Sequence, residues 1–238
     1  MAAMGSRTLL VDADPQGNST SGIGVEKQDG LATLYDILVG TKPATHSIHP
    51  TAYPNLAIIP SDRNLVGANL DLVDLEDREY RLKKALDAAR ENYDYIIIDC
   101  PPALDLLTIN GLVAADSVLV PIQCEFFALE GISQLMDTVD RIKESFAHSL
   151  EIEGILLTMY DDRTNLARQV ADDLKEFFND QVFKTVIPRS IRLAEAPSYG
   201  KPIIDYDPRS RGAESYMELA KEIIRNEQRK RQQTQSAG

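Results

Sequence analysis

Short apolar runs alternate along the chain with longer stretches whose apolar residues recur every three or four positions. The runs are "TLLVD" (8–12), "NLAIIPS" (55–61), "DYIIID" (94–99), "DSVLVPI" (116–122), "EIEGILLTMY" (151–160) and, more weakly, "FKTVIP" (183–188) and "KPIID" (201–205). Most are apolar throughout instead of alternating, the pattern of strands buried on both faces, and they predict a parallel sheet. Helical spacing covers 78–91, 129–146, 166–178 and 212–229. Strand alternating with helix, joined by right-handed crossovers, predicts a doubly wound α/β fold whose ligands sit at the carboxyl ends of the strands. The polar loops after Asp12 and Asp99 lie at that rim.

With 238 residues, 43% of them hydrophobic, the chain can bury one substantial core, and a single domain over 1–225 is expected. The remainder, "NEQRKRQQTQSAG" (226–238), has no apolar residue worth burying and reads as a disordered tail. No internal repeat is visible. "MAAMGSRTLL" lacks the apolar run of a signal peptide, and no segment approaches membrane-spanning length, so a cytoplasmic protein is expected.

The net charge of -12 argues against wholesale coating of nucleic acid. Residues 1–183 carry 14 basic and 30 acidic side chains, whereas 184–238 carry 11 and 7. Either a local basic face lies near the end of the chain or these cations simply decorate the last helices. Cys100 and Cys124 are too few and too far apart for a disulfide framework or a four-ligand metal site, and both read as buried packing. His46 and His49 form an HxxH pair among Pro, Thr and Ser, with no acidic or Cys partner at ligand spacing. They read as a solvated loop.

Two stretches carry candidate chemistry. "DYIIIDCPP" (94–102) is an apolar strand ending in Asp99, followed by prolines that delay any helix. A strand-terminal Asp suits the water shell of a magnesium ion in a phosphoryl-transfer site, and it equally suits a helix or turn cap. In "DADPQGN" (12–18), Pro15 restricts Asp14 to an extended backbone and Gly17 permits a tight turn. Asp14 there is either a rigid carboxylate able to align a water or an ordinary Asx-turn.

"LLVDADPQGN", "YDYIIIDCPPALDLLTINGL", "VPIQCEFFALEGISQL", "LLTMYDDRTNLARQV" and "TVIPRSIRLAEAPSYGKPIIDYDPRSRGAESYMELAKEI" resemble consecutive blocks of the ParA/Soj chromosome- and plasmid-partitioning ATPases, from about Arg7 to about Ile224. The resemblance implies a mostly parallel sheet of the P-loop NTPase type. Family members open with a strand, a deviant Walker A loop KGGxGK[ST][ST] and a helix before the segment matching Leu9–Gly24. No GxxxxGK[ST] occurs in this sequence. The first strand, P-loop and first helix are therefore expected to be absent from this chain, with "MAAMG" as the last turn of that helix and Gly5 as its stop.

By the same resemblance Asp14 is the switch aspartate that orients the attacking water, and Asp99 is the Walker B aspartate acting on magnesium through water. Pro188 and Arg189 match the adenine-facing loop, and Arg163 and Arg192 match arginines used for sequence-independent DNA binding. Arg163 also reads as half of an ion pair with Asp161 or Asp162. The family implies ATP and magnesium as cofactors, an ATP-dependent homodimer, non-specific DNA, a ParB/Spo0J-type partner and a nucleoid-associated location. Without its phosphate loop the chain as given is expected to bind and hydrolyse ATP poorly. The alternative is a non-hydrolysing DNA- or partner-binding protein derived from the family.

Two related groups fit less well. MinD-type septum-site ATPases bind membranes through an amphipathic C-terminal helix, but here the apolar face Tyr216, Leu219, Ala220, Ile223 and Ile224 stops before the polar tail, so the helix is expected to pack on the domain. Nitrogenase-iron-protein relatives need cluster-binding cysteines, whereas Cys100 reads as packing.

Overall fold

The computed structural model describes residues 1–26, 30–146 and 149–236. The chain divides into two compact units where the sequence predicts one domain.

The first unit comprises Met1–Asp116, Val139–Leu150 and Pro197–Pro202. A single 3-10 turn, Ala2–Met4, stops on Gly5 at φ 90° as expected. In chain order follow β1 (Thr8–Asp12), α1 (Asn18–Gly22), α2 (Leu34–Val39), α3 (Ala44–Ser47), β2 (His49–Pro50), β3 (Leu56–Ile59), α4 (Leu65–Asp71), α5 (Arg81–Asp87), β4 (Tyr95–Asp99) and α6 (Leu106–Ala114). The sheet order is β2-β3-β1-β4, with β1 parallel to both β3 and β4 and the short β2 antiparallel to β3. Leu9, Val11, Ile59, Ile96 and Ile98 point to one face and pack on Leu34, Leu65 and Leu82 of the helices.

The opposite face is covered unevenly. Register places Ile58, Leu10 and Ile97 in one row across β3, β1 and β4. Ile58 is fully buried, Leu10 half-buried and Ile97 45% exposed. Burial on both faces therefore holds at Ile58 and fails at Ile97. β4 ends its sheet, and the described helices of this unit pack on Ile96 and Ile98 instead.

The second unit comprises Ser117–Thr138, Glu151–Ala196 and Ile203–Gly238. It contains β5 (Ser117–Gln123), the first half of α7 (Ala128–Phe146), β6 (Glu151–Thr158), α8 (Asn165–Phe178), α9 (Ile191–Glu195), α10 (Ile203–Tyr206) and α11 (Arg211–Ser236). β5 and β6 pair in parallel, and Val120, Ile155, Leu157 and Leu174 centre the core. Thr164 caps α8 by accepting from the Ala167 N–H at 3.3 Å.

Several sequence expectations change. "FKTVIP" is not a strand but runs beside β6, with the Phe183 N–H donating to Ile155 O and the Ile187 N–H to Leu157 O, each at 2.9 Å. "KPIID" forms the helical turn α10, for which Pro202 presets the entry. The helix expected over 78–91 is α5 followed by a 3-10 turn, Arg90–Asn92. α1, α2, α4 and α6 were not predicted; they are short, and their apolar periods are brief.

The expected tail continues α11 to Ser236, tied by Arg231–Glu227 and by Lys230 to Glu153 at 3.0 Å; residues 237–238 lie outside the described residues. His46 and His49 lie on α3 and β2 instead of a loop, and the His49 Nε2–H donates to the Ala32 carbonyl at 2.9 Å. Among the described residues no helix is long and apolar enough to cross a membrane.

Candidate functional site

Asp12 and Asp99 end adjacent parallel strands and are register partners. The Asp12 side chain is fully buried. Its Oδ2 accepts from the Thr20 N–H and the Thr20 hydroxyl, each at 2.7 Å, and its Oδ1 accepts from the Asp14 N–H at 3.3 Å. Burial raises its pKa, while the Thr20 donors oppose that shift. The Thr20 hydroxyl in turn accepts from the Ser61 N–H at 3.0 Å, and the Ser61 hydroxyl donates to the Asp14 carbonyl at 2.7 Å. A buried carboxylate thus fixes the loop that carries Asp14.

The Asp14 carboxylate accepts from the Gln16 N–H at 2.8 Å, and its carbonyl accepts from the Gly17 N–H at 2.9 Å. This is the Asx-turn that the sequence left open. Gly17 sits at φ 65°, the left-handed conformation that the turn into α1 requires. Asp14 is half-exposed, and its carboxylate accepts that turn hydrogen bond while its backbone is bonded to Asp12, Gly17 and Ser61.

Asp99 Oδ2 accepts from the Ser19 hydroxyl at 2.6 Å. Next to it Cys100 is half-buried, not fully buried as expected, and its thiol is pushed up to about 12 by burial, with Asp99 and Asp105 adding to the shift. A Cβ on Gly111 would meet the Cys100 sulfur at 2.5 Å, so α6 approaches the strand end closely only because it has glycine there. Asp105 caps α6, accepting from the Leu107 and Thr108 N–H groups at 3.1 Å. Sequence reasoning missed Asp12, Ser19, Thr20 and Ser61. The hydroxyl pair directly after "DPQGN" was the available signal for two of them.

The remaining candidates lie in the second unit. Pro188 bridges to Tyr160, and the Arg189 N–H donates to the Tyr160 carbonyl at 3.0 Å while its guanidinium stands 3.8 Å from Glu125. Arg163, with its side chain 84% exposed, grips Asp161 through two bonds of 2.8 and 2.7 Å. That guanidinium holds the Asp161 carboxyl down at about 2. Arg192 pairs with Glu195 at 3.1 Å and Asp207 at 3.5 Å. Both arginines assigned to DNA are therefore in intramolecular ion pairs.

Asp99, a carboxylate at a strand end beside a hydroxyl, fits the water shell of a magnesium ion bound mainly through nucleotide phosphates. Among the described residues no cluster of three His, Cys, Asp or Glu could hold a metal by itself. The 238 residues offer no GxxxxGK[ST] for the phosphates, so their fit to a nucleotide is one-sided.

A family model described as an AAA domain matches residues 1–152. The chain is 57% identical over 226 residues to the sporulation initiation inhibitor protein Soj of Bacillus subtilis, covering 95% of this chain and 89% of Soj. It is 48% identical over 227 residues to the chromosome partitioning protein ParA of Myxococcus xanthus, covering 95% and 80%. Among solved structures, cobyrinic acid a,c-diamide synthase from Mycobacterium smegmatis with bound ADP and magnesium superposes with a TM-score of 0.80 at 33% identity, covering 95% of this chain and 84% of that one.

Proposed function

The chain belongs to the Soj/ParA family of chromosome-partitioning ATPases, and from that premise we propose that it acts in partitioning, with Asp14 and Asp99 as its hydrolytic carboxylates. The observation that supports this reading is that Asp99 ends β4 beside Asp12 at the end of parallel β1, with Asp14 two residues further on in a loop anchored on buried Asp12. When bound, ATP with magnesium supplies the phosphoryl group and the metal charge. Asp14 is rigid enough to align a water, and Asp99 keeps one oxygen on Ser19 and one for the metal's water shell.

The phosphate-binding part, in this reading, is a strand, a Walker A loop and a helix outside these 238 residues. Two observations support it: no GxxxxGK[ST] is present, and the Ile58–Leu10–Ile97 row loses its cover toward the outer strand β4. Non-specific DNA on Arg163 and Arg192, a ParB/Spo0J-type partner, an ATP-dependent homodimer and a cytoplasmic, nucleoid-associated location complete the proposal.

Calorimetric ATP titration and phosphate release, measured on this chain and on one extended by the strand, loop and helix, provide the test. The extended protein should bind and hydrolyse ATP, and Asp14→Ala should abolish hydrolysis while sparing binding. The 238-residue chain should do neither. An inactive extended protein that still binds DNA would favour the non-hydrolysing reading instead.

A further inference from the structure

Asp99 closes the loop that carries Asp14 at both ends. Its backbone carbonyl accepts from the Ala13 N–H at 2.8 Å, and its side-chain Oδ2 accepts from the Ser19 hydroxyl at 2.6 Å. One residue further out on each side, the Asp12 carboxylate accepts from Thr20. Two neighbouring hydroxyls at the start of α1 therefore hold two carboxylates that are register partners on β1 and β4.

The two anchors are not equivalent. Asp12 and Thr20 are fully buried, so their bond is permanent furniture of the fold. Asp99 and Ser19 are only half-buried, so water readily replaces a lost partner there. α1 cannot supply the missing order itself: it has five residues, and its N-cap, Gly17, has no side chain to accept the free N–H groups of the first turn. A hydroxyl 2.6 Å from a carboxylate oxygen makes a short, charge-assisted hydrogen bond, strong enough to fix such a helix.

We propose that Ser19 is a positioning residue for hydrolysis: its hydroxyl ties the turn carrying Asp14 to the Asp99 side chain, so that an Asp99 fixed by a magnesium water shell fixes Asp14 as well. The proposal rests on the assignment of Asp14 and Asp99 to ATP hydrolysis and adds that the two carboxylates act as one linked unit. The Gln16 and Gly17 N–H groups, which donate to the Asp14 carboxylate and carbonyl at 2.8 and 2.9 Å, report on that turn directly. Ser21 supplies the contrast, since its hydroxyl donates to the Gly17 and Asn18 carbonyls of its own helical turn at 3.0 and 3.3 Å.

The test uses the protein extended by the strand, loop and helix, loaded with ADP and followed by amide hydrogen exchange as magnesium chloride is added. Exchange at Gln16 and Gly17 should slow several-fold in the wild type and stay unchanged in Ser19→Ala, although calorimetry finds the magnesium–ADP affinity of the variant within about threefold. With ATP, Ser19→Ala should lower kcat about tenfold and leave KM within about threefold. Ser19→Thr, which keeps the hydroxyl, should recover most of kcat and of the magnesium response, and Ser21→Ala should keep both. The melting temperature of Ser19→Ala should stay within about 2 °C of wild type. A Ser19→Ala protein with wild-type kcat and magnesium response, equal losses in Ser21→Ala, or a melting temperature that falls in step with kcat would overturn the link and leave hydrolysis by Asp14 and Asp99 in place. An extended wild type that binds no magnesium–ADP would instead sink the hydrolytic reading, and the link with it.

Discussion

The hydroxyl of Thr20 donates to the buried carboxylate of Asp12 at 2.7 Å while accepting the Ser61 N–H at 3.0 Å. One side chain thereby joins the end of β1 to the segment after β3. Thr20→Val keeps the shape and removes both roles, leaving the Ser61 N–H without its acceptor and Asp12 with one donor fewer. A loss of about 1–3 kcal/mol is expected in urea unfolding of the extended protein. Thr20→Ser retains the hydroxyl and should lose less than about 1 kcal/mol. Equal losses in the two variants would mean that methyl packing, not the hydroxyl, holds the loop.

A second expectation concerns acid. Asp161 titrates at about 2 because Arg163 donates to it through its side chain and its backbone. A depressed carboxyl contributes stability that is fully present above its unfolded value near 4 and is lost as pH falls through about 2. In Arg163→Ala the Asp161 carboxyl should return toward the ordinary range, visible as an upward move of its NMR titration midpoint. A midpoint that stays near its wild-type position would show that Arg163 is not the cause.

The same ion pairs bear on DNA. If Arg163 and Arg192 contact phosphates, each must first part from its own carboxylate, at little cost because exposed ion pairs are weak. Replacing either arginine in the extended, ATP-bound protein should weaken binding about equally on unrelated sequences and lower the salt slope by roughly one unit per contact. Asp161→Asn and Glu195→Gln should do the reverse and tighten binding. Unaltered affinity in all four variants would return these arginines to the protein surface.

The sequence made the parallel strands legible because their apolar runs are uninterrupted, and five of them formed where expected. Asp14 and Asp99 were singled out for a related reason, since Asp99 ends such a run and Asp14 follows one. What escaped was the support around them. Asp12 looks like a strand end, and nothing local reveals that Thr20 and Ser61, far apart in sequence, share one hydrogen-bond chain with it. The short helices escaped because four to nine residues carry too little period to stand out, and "KPIID" misled because a β-branched pair after proline serves a helical turn as readily as a strand.

The last expectation follows from β4. Its apolar residue Ile97 is 45% exposed, although Ile96 and Ile98 on either side of it pack into the core. β4 also ends its sheet, which leaves one edge open to further pairing. If a strand and helix from outside these residues complete that side, then Ile97 becomes a core residue only in the extended protein. Ile97→Ser should therefore leave the thermal profile of the 238-residue chain nearly unchanged and lower the stability of the extended protein by about 1.5–3 kcal/mol. The shorter chain should also bind hydrophobic dye and melt without a sharp transition, while the extended one melts cooperatively and gains stability with ATP. A 238-residue chain that is monomeric, dye-negative and cooperatively folded, with the same loss on Ile97→Ser in both proteins, would remove the physical basis for an external phosphate-binding unit and leave the non-hydrolysing partner-binding protein as the better reading.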